Sequence, residues 1–510
     1  MSANQTASSL SPKAQSMFAV ALSAILALTA FAGAWWCSTP WCDELTFLDS
    51  AVNFLGGGSW HSEVFYLVNN PGFALIAATA VKVFGAYHQT VVAVCCLFAF
   101  LSSWLILDSL VRRGLVKNLE QHLLFVLLFW SGFVFSGIIL NGRPDTMTLF
   151  LTVGLLDVLF PAADRSISYK SVLVRSFALM MVSAYTLPLI SLLSLGGVFV
   201  CRRRRMALGR TLAVVAGGGL AWMLIAVFYA YHHELIRFAG FYAAFNSITG
   251  ERHGTILQRI LSGYGHDVTA LFVLGLATGL VVVFRPLRTR GRVACLSIVA
   301  AIPVGMVLCG RYQQYYSWML YVPACACLSV FSGSLRMVFQ RTLLVGAVCL
   351  SAVHHYLVFT MDDAGLCRAR SARAFVQENA RFFVPGTTVV VADDTVGDVS
   401  LYYPLLERGV DLWFRGPAFL RTLSDEQKFE HGLSIFVKDE DLRKKILSKV
   451  MHYQTFMPLL PNREALVVFV SPENREEVRP LFERAGYGLR FVLDDGVRSV
   501  YRMSPLARLP

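Results

Sequence analysis

Charge is scarce in this chain: 15% of its 510 residues are Asp, Glu, Lys or Arg, against 55% hydrophobic. That balance excludes an ordinary soluble enzyme of this length. The P-loop, the dinucleotide fingerprint and the Gly-x-Ser-x-Gly elbow are all missing, so nothing points to nucleotide-dependent chemistry or a serine hydrolase. Gly56-Gly57-Gly58 reads as a flexible loop and not as a phosphate cradle. The 11 cysteines have no metal-ligand spacing, and most sit inside apolar runs, where they read as small core residues. Cys37 and Cys42 are expected at an outer surface, where a local disulfide is one option. Basic–aromatic interleaving is lacking too, so the net charge of +12 does not imply nucleic acid. Residues 1–360 carry 24 basic and 12 acidic groups, and 361–510 carry 21 of each. The whole excess therefore belongs to the apolar part.

Long apolar runs are what the chain has instead, and they set the class as a polytopic α-helical membrane protein. Eleven spans are predicted, near 17–36, 88–110, 122–140, 146–160, 171–184, 186–201, 211–231, 267–284, 293–309, 316–333 and 342–360. Residues 1–16 form a short cytoplasmic tail. The first run is an uncleaved anchor, because Trp35-Trp36-Cys37 follows it where a signal peptide would have small residues. Arg112-Arg113-Lys117, Arg165-Lys170, Arg202 to Arg205 with Arg210, Arg285 to Arg292, and Arg336-Arg341 fall in alternate loops. The positive-inside rule assigns these to the cytoplasm. The assignment requires that 71–86, which opens with Asn70-Pro71-Gly72, lie along the outer surface as an interfacial helix. From about Met361 the composition becomes that of a soluble α/β domain. Strands are expected at 387–392, 433–437 and 465–470, helices at 439–450 and 472–485, and a hairpin at 489–493 and 500–502. An odd number of crossings puts that domain outside, on the periplasmic side of an inner membrane.

Few ionisable groups remain at membrane depth or its edge, and such groups mark functional sites by default. Asp43 and Glu44 follow the first span and open a helical stripe of apolar residues at 45, 48, 52 and 55. Two carboxylates there either complement the helix dipole or supply a general base. Arg143-Pro144-Asp145 interrupts apolar sequence on both sides. Asp145 suits a helix N-cap, and Arg143 needs an anion: Asp145, the acidic pair or a phosphate. Arg311-Tyr312 sits in another outer turn, as either a phosphate site or an aromatic belt with a snorkelling arginine. His61, Glu63, Asn70 and Tyr185 complete the expected outer-face set as substrate-binding candidates. No cofactor is called for. A divalent metal has only His232, His233, Glu234, His253 and His266 of one loop to draw on, without zinc-type spacing.

In their order and common sidedness these motifs resemble the GT-C membrane glycosyltransferases that use polyprenyl-phosphate sugars. The protein O-mannosyltransferases and the lipid A aminoarabinose and galacturonic acid transferases are of this type. The resemblance rests on Cys42-Asp43-Glu44, on Asn69-Asn70-Pro71-Gly72 through Phe84-Gly85, on Gly142-Arg143-Pro144-Asp145, and on Arg311-Tyr312 to Pro323. It covers most of 17–360. Relatives often have His-Pro or Lys-Pro where this chain has Asn70-Pro71, so one charge near the donor is missing. The resemblance implies a polyprenyl-phosphate-sugar donor among membrane lipids and an envelope glycolipid or protein acceptor. It also implies Asp43 as favoured base with Glu44 as substitute or positioning group, Asp145 beside them, and Arg143 and Arg311 as leaving-group cations. The rival is a transporter or flippase of a lipid-linked sugar, which would place charges near mid-span and show repeat symmetry. Neither feature is evident.

Overall fold

The computed structural model describes residues 11–37, 42–58, 71–159, 168–183, 204–231, 318–360, 363–392, 399–414, 440–441, 444, 463–484 and 486–505. The spans expected at 186–201, 267–284 and 293–309 lie outside the described residues, as do the strand at 433–437 and most of the helix at 439–450. Among the described residues, eleven helices precede residue 361. They are α1 (Pro12–Cys37), α2 (Cys42–Leu55), α3 (Pro71–Phe84), α4 (His88–Arg112), α5 (Leu119–Trp130), α6 (Phe133–Leu140), α7 (Asp145–Leu159), α8 (Tyr169–Val182), α9 (Arg204–Tyr231), α10 (Trp318–Ser332) and α11 (Met337–Thr360). Among the described residues, four stretches are long and apolar enough to cross a membrane: Lys13–Trp35, His88–Arg112, Leu208–Tyr231 and Met337–Leu357.

The continuous span expected at 122–140 is instead two helices, α5 and α6, broken at Ser131-Gly132. Packing explains the break. A Cβ at Gly132 would lie 2.7 Å from the ring of Tyr321 in α10, so the chain passes there only as glycine. The Tyr321 hydroxyl then donates to the carbonyl of Leu128 in the last turn of α5. Hydropathy reads the apolar run and is blind to the neighbour that interrupts it. The start of α5 is set locally by a capping box: Asn118 accepts from the amide of Gln121, and the Gln121 side chain accepts from that of Asn118.

Helix α3 is 14 residues long, about 21 Å at 1.5 Å per residue and short of the roughly 30 Å hydrocarbon layer. One face, Phe73, Ala74, Ala77, Ala78 and Val81, is buried, while Val83 and Phe84 are exposed. Small residues let it sit close to its neighbours. A Cβ at Gly72 would lie 3.0 Å from the Met181 carbonyl of α8. Lys82 Nζ donates to the carbonyl of Leu55 at 3.1 Å, tying the far end of α3 to the end of α2.

After α11 the chain forms α12 (Asp363–Glu378), β1 (Thr388–Ala392), α13 (Tyr402–Glu407), β2 (Asp411–Phe414), β3 (Ala465–Phe469), α14 (Pro472–Arg484), β4 (Tyr487–Asp494) and β5 (Ser499–Pro505). The sheet order is β2-β1-β3-β5-β4. The first three strands are parallel, and the β4–β5 hairpin joins β3 antiparallel. Alternation along β1 sorts its residues between two layers. Val389 and Val391 share a core with α12, α13 and the helical bundle, whereas Val390 and Ala392 join Phe469, Val478 and Phe482 under α14. One continuous apolar core thus runs from the bundle into one face of the sheet.

Candidate active site

The two ends of α4 differ in character. At its C-terminal end Arg112 pairs with Asp108 (2.8 Å) and Asp157 (3.1 Å), and Arg113 reaches Asp157 at 3.3 Å. These bonds join α4 to the end of α7 and neutralise both arginines. The other end of α4, about 36 Å away along 25 residues, carries His88. Its Nδ1 is hydrogen-bonded to Oε2 of Glu44 at 2.6 Å. The Nε2 atom is buried and has no hydrogen-bond partner among the described residues.

Glu44 is the hub. It lies in the first turn of α2 and is 1% exposed. Its second oxygen, Oε1, accepts from the hydroxyl of Tyr403 in α13. Its flank is closed by the turn between α6 and α7. Gly142 there has φ +60°, and a Cβ on it would lie 2.6 Å from Glu44 Oε2. The residue must therefore be glycine twice over, for its backbone conformation and for the carboxylate against it. Farther along α2, Asp49 accepts from the Tyr402 hydroxyl at 3.0 Å. The phenols of Tyr402 and Tyr403 are pushed well above their ordinary range, first by burial and then by the carboxylates they face. Both stay protonated and act as donors.

The turn that presses Gly142 on Glu44 also builds the second motif. Pro144 lends its carbonyl to the amide of Thr148, so α7 starts with Asp145 at its first helical position. Asp145 is buried, and its carboxylate accepts from Arg143 Nε at 2.9 Å and from Trp318 Nε1 of α10 at 3.0 Å. The sequence left three anions open as partners for Arg143, and the structure pairs it with Asp145 although they are only two residues apart. A turn between them makes this possible where a helix would set the two on different faces. The Arg143 carbonyl, in turn, accepts a long bond from the Cys95 thiol of α4 at 3.4 Å.

The structure thus brings Glu44, Arg143 and Asp145 to one end of the bundle. Asp43 falls in the same first turn of α2, although its side chain lies outside the described residues. So do His61, Glu63, Asn70, Tyr185, Arg311 and Tyr312, and the side chains of Cys37 and Cys42. Among the described residues no group of three His, Cys, Asp or Glu could hold a metal ion. His88, Tyr402, Tyr403 and Trp318 escaped the sequence reading. His88 alone left a signal, as a lone ionisable group at the start of an apolar span. The tyrosines lie more than 350 positions from the carboxylates they meet.

No protein-family model matches the chain, and no curated protein matches it by sequence. Solved structures do match. The ArnT of Cupriavidus metallidurans bound to undecaprenyl phosphate superposes with a TM-score of 0.62 at 14% identity, over 95% of this chain and 97% of that one. Its apo state gives 0.57 over the same shares. The oligosaccharyltransferase of Archaeoglobus fulgidus, tethered to an acceptor peptide, gives 0.51 at 13% identity over 96% of this chain and 74% of that one. The chain shares the fold of these solved proteins.

Proposed function

We propose that this chain is a membrane glycosyltransferase. It moves a sugar from a polyprenyl-phosphate carrier to a hydroxyl of an envelope acceptor, whether lipid A, lipopolysaccharide core, another glycolipid or a protein. The observation that carries the reading is the meeting of two motifs about a hundred residues apart. The acidic start of α2 and the Gly142 to Asp145 turn share one buried end of a GT-C bundle. Two solved proteins of that fold are described with undecaprenyl phosphate and with an acceptor peptide, respectively.

In this reading Asp43 takes the proton from the acceptor hydroxyl as its oxygen attacks the anomeric carbon. The bond from that carbon to the carrier phosphate breaks with its electron pair on the phosphate oxygen. One displacement inverts the anomeric configuration, and the products are the glycosylated acceptor and polyprenyl phosphate. Glu44, gripped by His88 and Tyr403, positions the turn that carries Asp43. Arg311 with Tyr312, assisted by Arg143, stabilises the leaving phosphate as charge develops. Asn70, Glu63, His61 and Tyr185 are assigned to the sugar and acceptor. The site and the α/β domain of residues 361–510 face the periplasm.

Mass spectrometry of envelope glycolipids and glycoproteins, with and without the gene, names the acceptor. A purified-protein assay then follows carrier cleavage. The expected result is stoichiometric release of polyprenyl phosphate with acceptor glycosylation. Movement of an intact lipid-linked sugar across proteoliposomes, with no bond broken, would sink the transferase reading in favour of a transporter.

A further inference from the structure

Two side-chain bonds cross from the sheet region into the acidic helix α2, and both end on its carboxylates. Tyr402 and Tyr403 open α13, directly after the buried Val399 and Leu401 that lead from β1. Tyr402 donates to Asp49 and Tyr403 to Glu44. Their rings stand edge to face, with centroids 5.2 Å apart at 83°. Had only apolar area been needed to dock the domain, a Phe pair would fill the same space. Burying two phenols and two carboxylates is costly unless each donor meets an acceptor, and here each does.

A second set of contacts closes on the same spot from the α3–α4 joint. Arg373 of α12 lies 4.5 Å above the ring of Tyr87 and pairs with Glu407, the last residue of α13, at 2.7 Å. The residue after Tyr87 is His88, which holds the other oxygen of Glu44. Glu44 is therefore gripped from α4 on one side and α13 on the other. With Asp49 also held, α2 has little freedom to turn about its axis.

We infer that Tyr402 and Tyr403 are positioning residues for sugar transfer: they hold Glu44 and Asp49 and thereby fix the first turn of α2, where Asp43 sits. The inference rests on the transferase reading and makes the C-terminal domain part of the working site. The test uses the purified full chain with a polyprenyl-phosphate-sugar donor and its acceptor. Tyr403→Phe should lower kcat roughly tenfold to a hundredfold, the scale of one lost charge-assisted bond, with donor KM little changed. In a Glu44→Gln background the same substitution should cost much less, because its effect runs through that carboxylate. Tyr402→Phe should cost less than Tyr403→Phe and couple to Asp49→Asn. It keeps the test alive if Tyr403→Phe does not fold. Phe482→Leu, which loosens the sheet on its other face, controls for lost stability. Wild-type kcat in both Tyr→Phe variants, additivity with Glu44→Gln, or the same kcat loss in folded Phe482→Leu overturns this inference alone. Absence of any transfer by the wild-type chain overturns the function with it.

Discussion

The carboxylates and the arginine beside them do different work, and substitutions separate it. Asp43→Asn keeps a helix-start residue of the same size but removes the proposed proton acceptor, so turnover should fall by at least about a hundredfold in a protein that still inserts. Glu44→Gln should cost a similar amount or less, since its part is to be held. Wild-type turnover in both single variants and in the double variant would refute the assignment. Arg143 is half of a buried ion pair, 5% exposed against 1% for Asp145. Removing it leaves a buried carboxylate without its counter-charge, which costs on the order of 3–5 kcal/mol. Arg143→Ala should therefore lower the thermal midpoint in detergent, and Arg143→Ala with Asp145→Ala should recover part of the loss. No recovery would mean that the pair is not what holds the turn. Arg311→Ala should act on kinetics instead, weakening transfer roughly tenfold to a hundredfold with donor as the varied substrate.

Turns between helices decide the site more than the helices do. Gly142 and Gly114 both have φ near +60°, so alanine at either costs about 1–2 kcal/mol in backbone conformation. They differ in surroundings. A Cβ at Gly114, beyond the ion cluster at the C-terminal end of α4, meets nothing within 4 Å, whereas one at Gly142 collides with Glu44. Gly114→Ala should thus lose a little stability and keep its turnover, while Gly142→Ala should lose both. Melting curves and a transfer assay on the two variants decide it, and equal turnover would remove Glu44 from the working geometry. Helix α3 shows the same dependence on context. Its apolar composition alone fits a span, and what the fold adds is one face buried on α2, α4 and α8.

At the scale of the molecule, the contacts from α13 to α2 require the sheet region and the start of α2 to lie on one side of the membrane. The Arg112–Arg113–Asp157 cluster closes the opposite end of α4. Single-cysteine reporters in a cysteine-free background should then split. Val497→Cys, on the exposed β4–β5 turn, should react with an impermeant thiol reagent in intact spheroplasts, and Lys117→Cys, past the end of α4, should react only after permeabilisation. The reverse pattern, or labelling of both from outside, defeats the periplasmic assignment of the site.

The sequence alone determined the membrane class, because burial in lipid demands long apolar runs whatever their neighbours. It also placed β1, β3, α14 and the β4–β5 hairpin within a few residues, where β-branched runs and helical periodicity act locally. It singled out Glu44, Arg143 and Asp145, since an ionisable group in an apolar stretch stands out without any structure. Only the tertiary structure decided their partners. Arg143 takes Asp145 through a turn, Glu44 takes His88 and Tyr403, and Gly132 breaks a helix because Tyr321 arrives from α10. Each of those outcomes depends on a group brought close by packing from far along the chain. Hydropathy, which sums over neighbours in sequence, carries no record of neighbours in space.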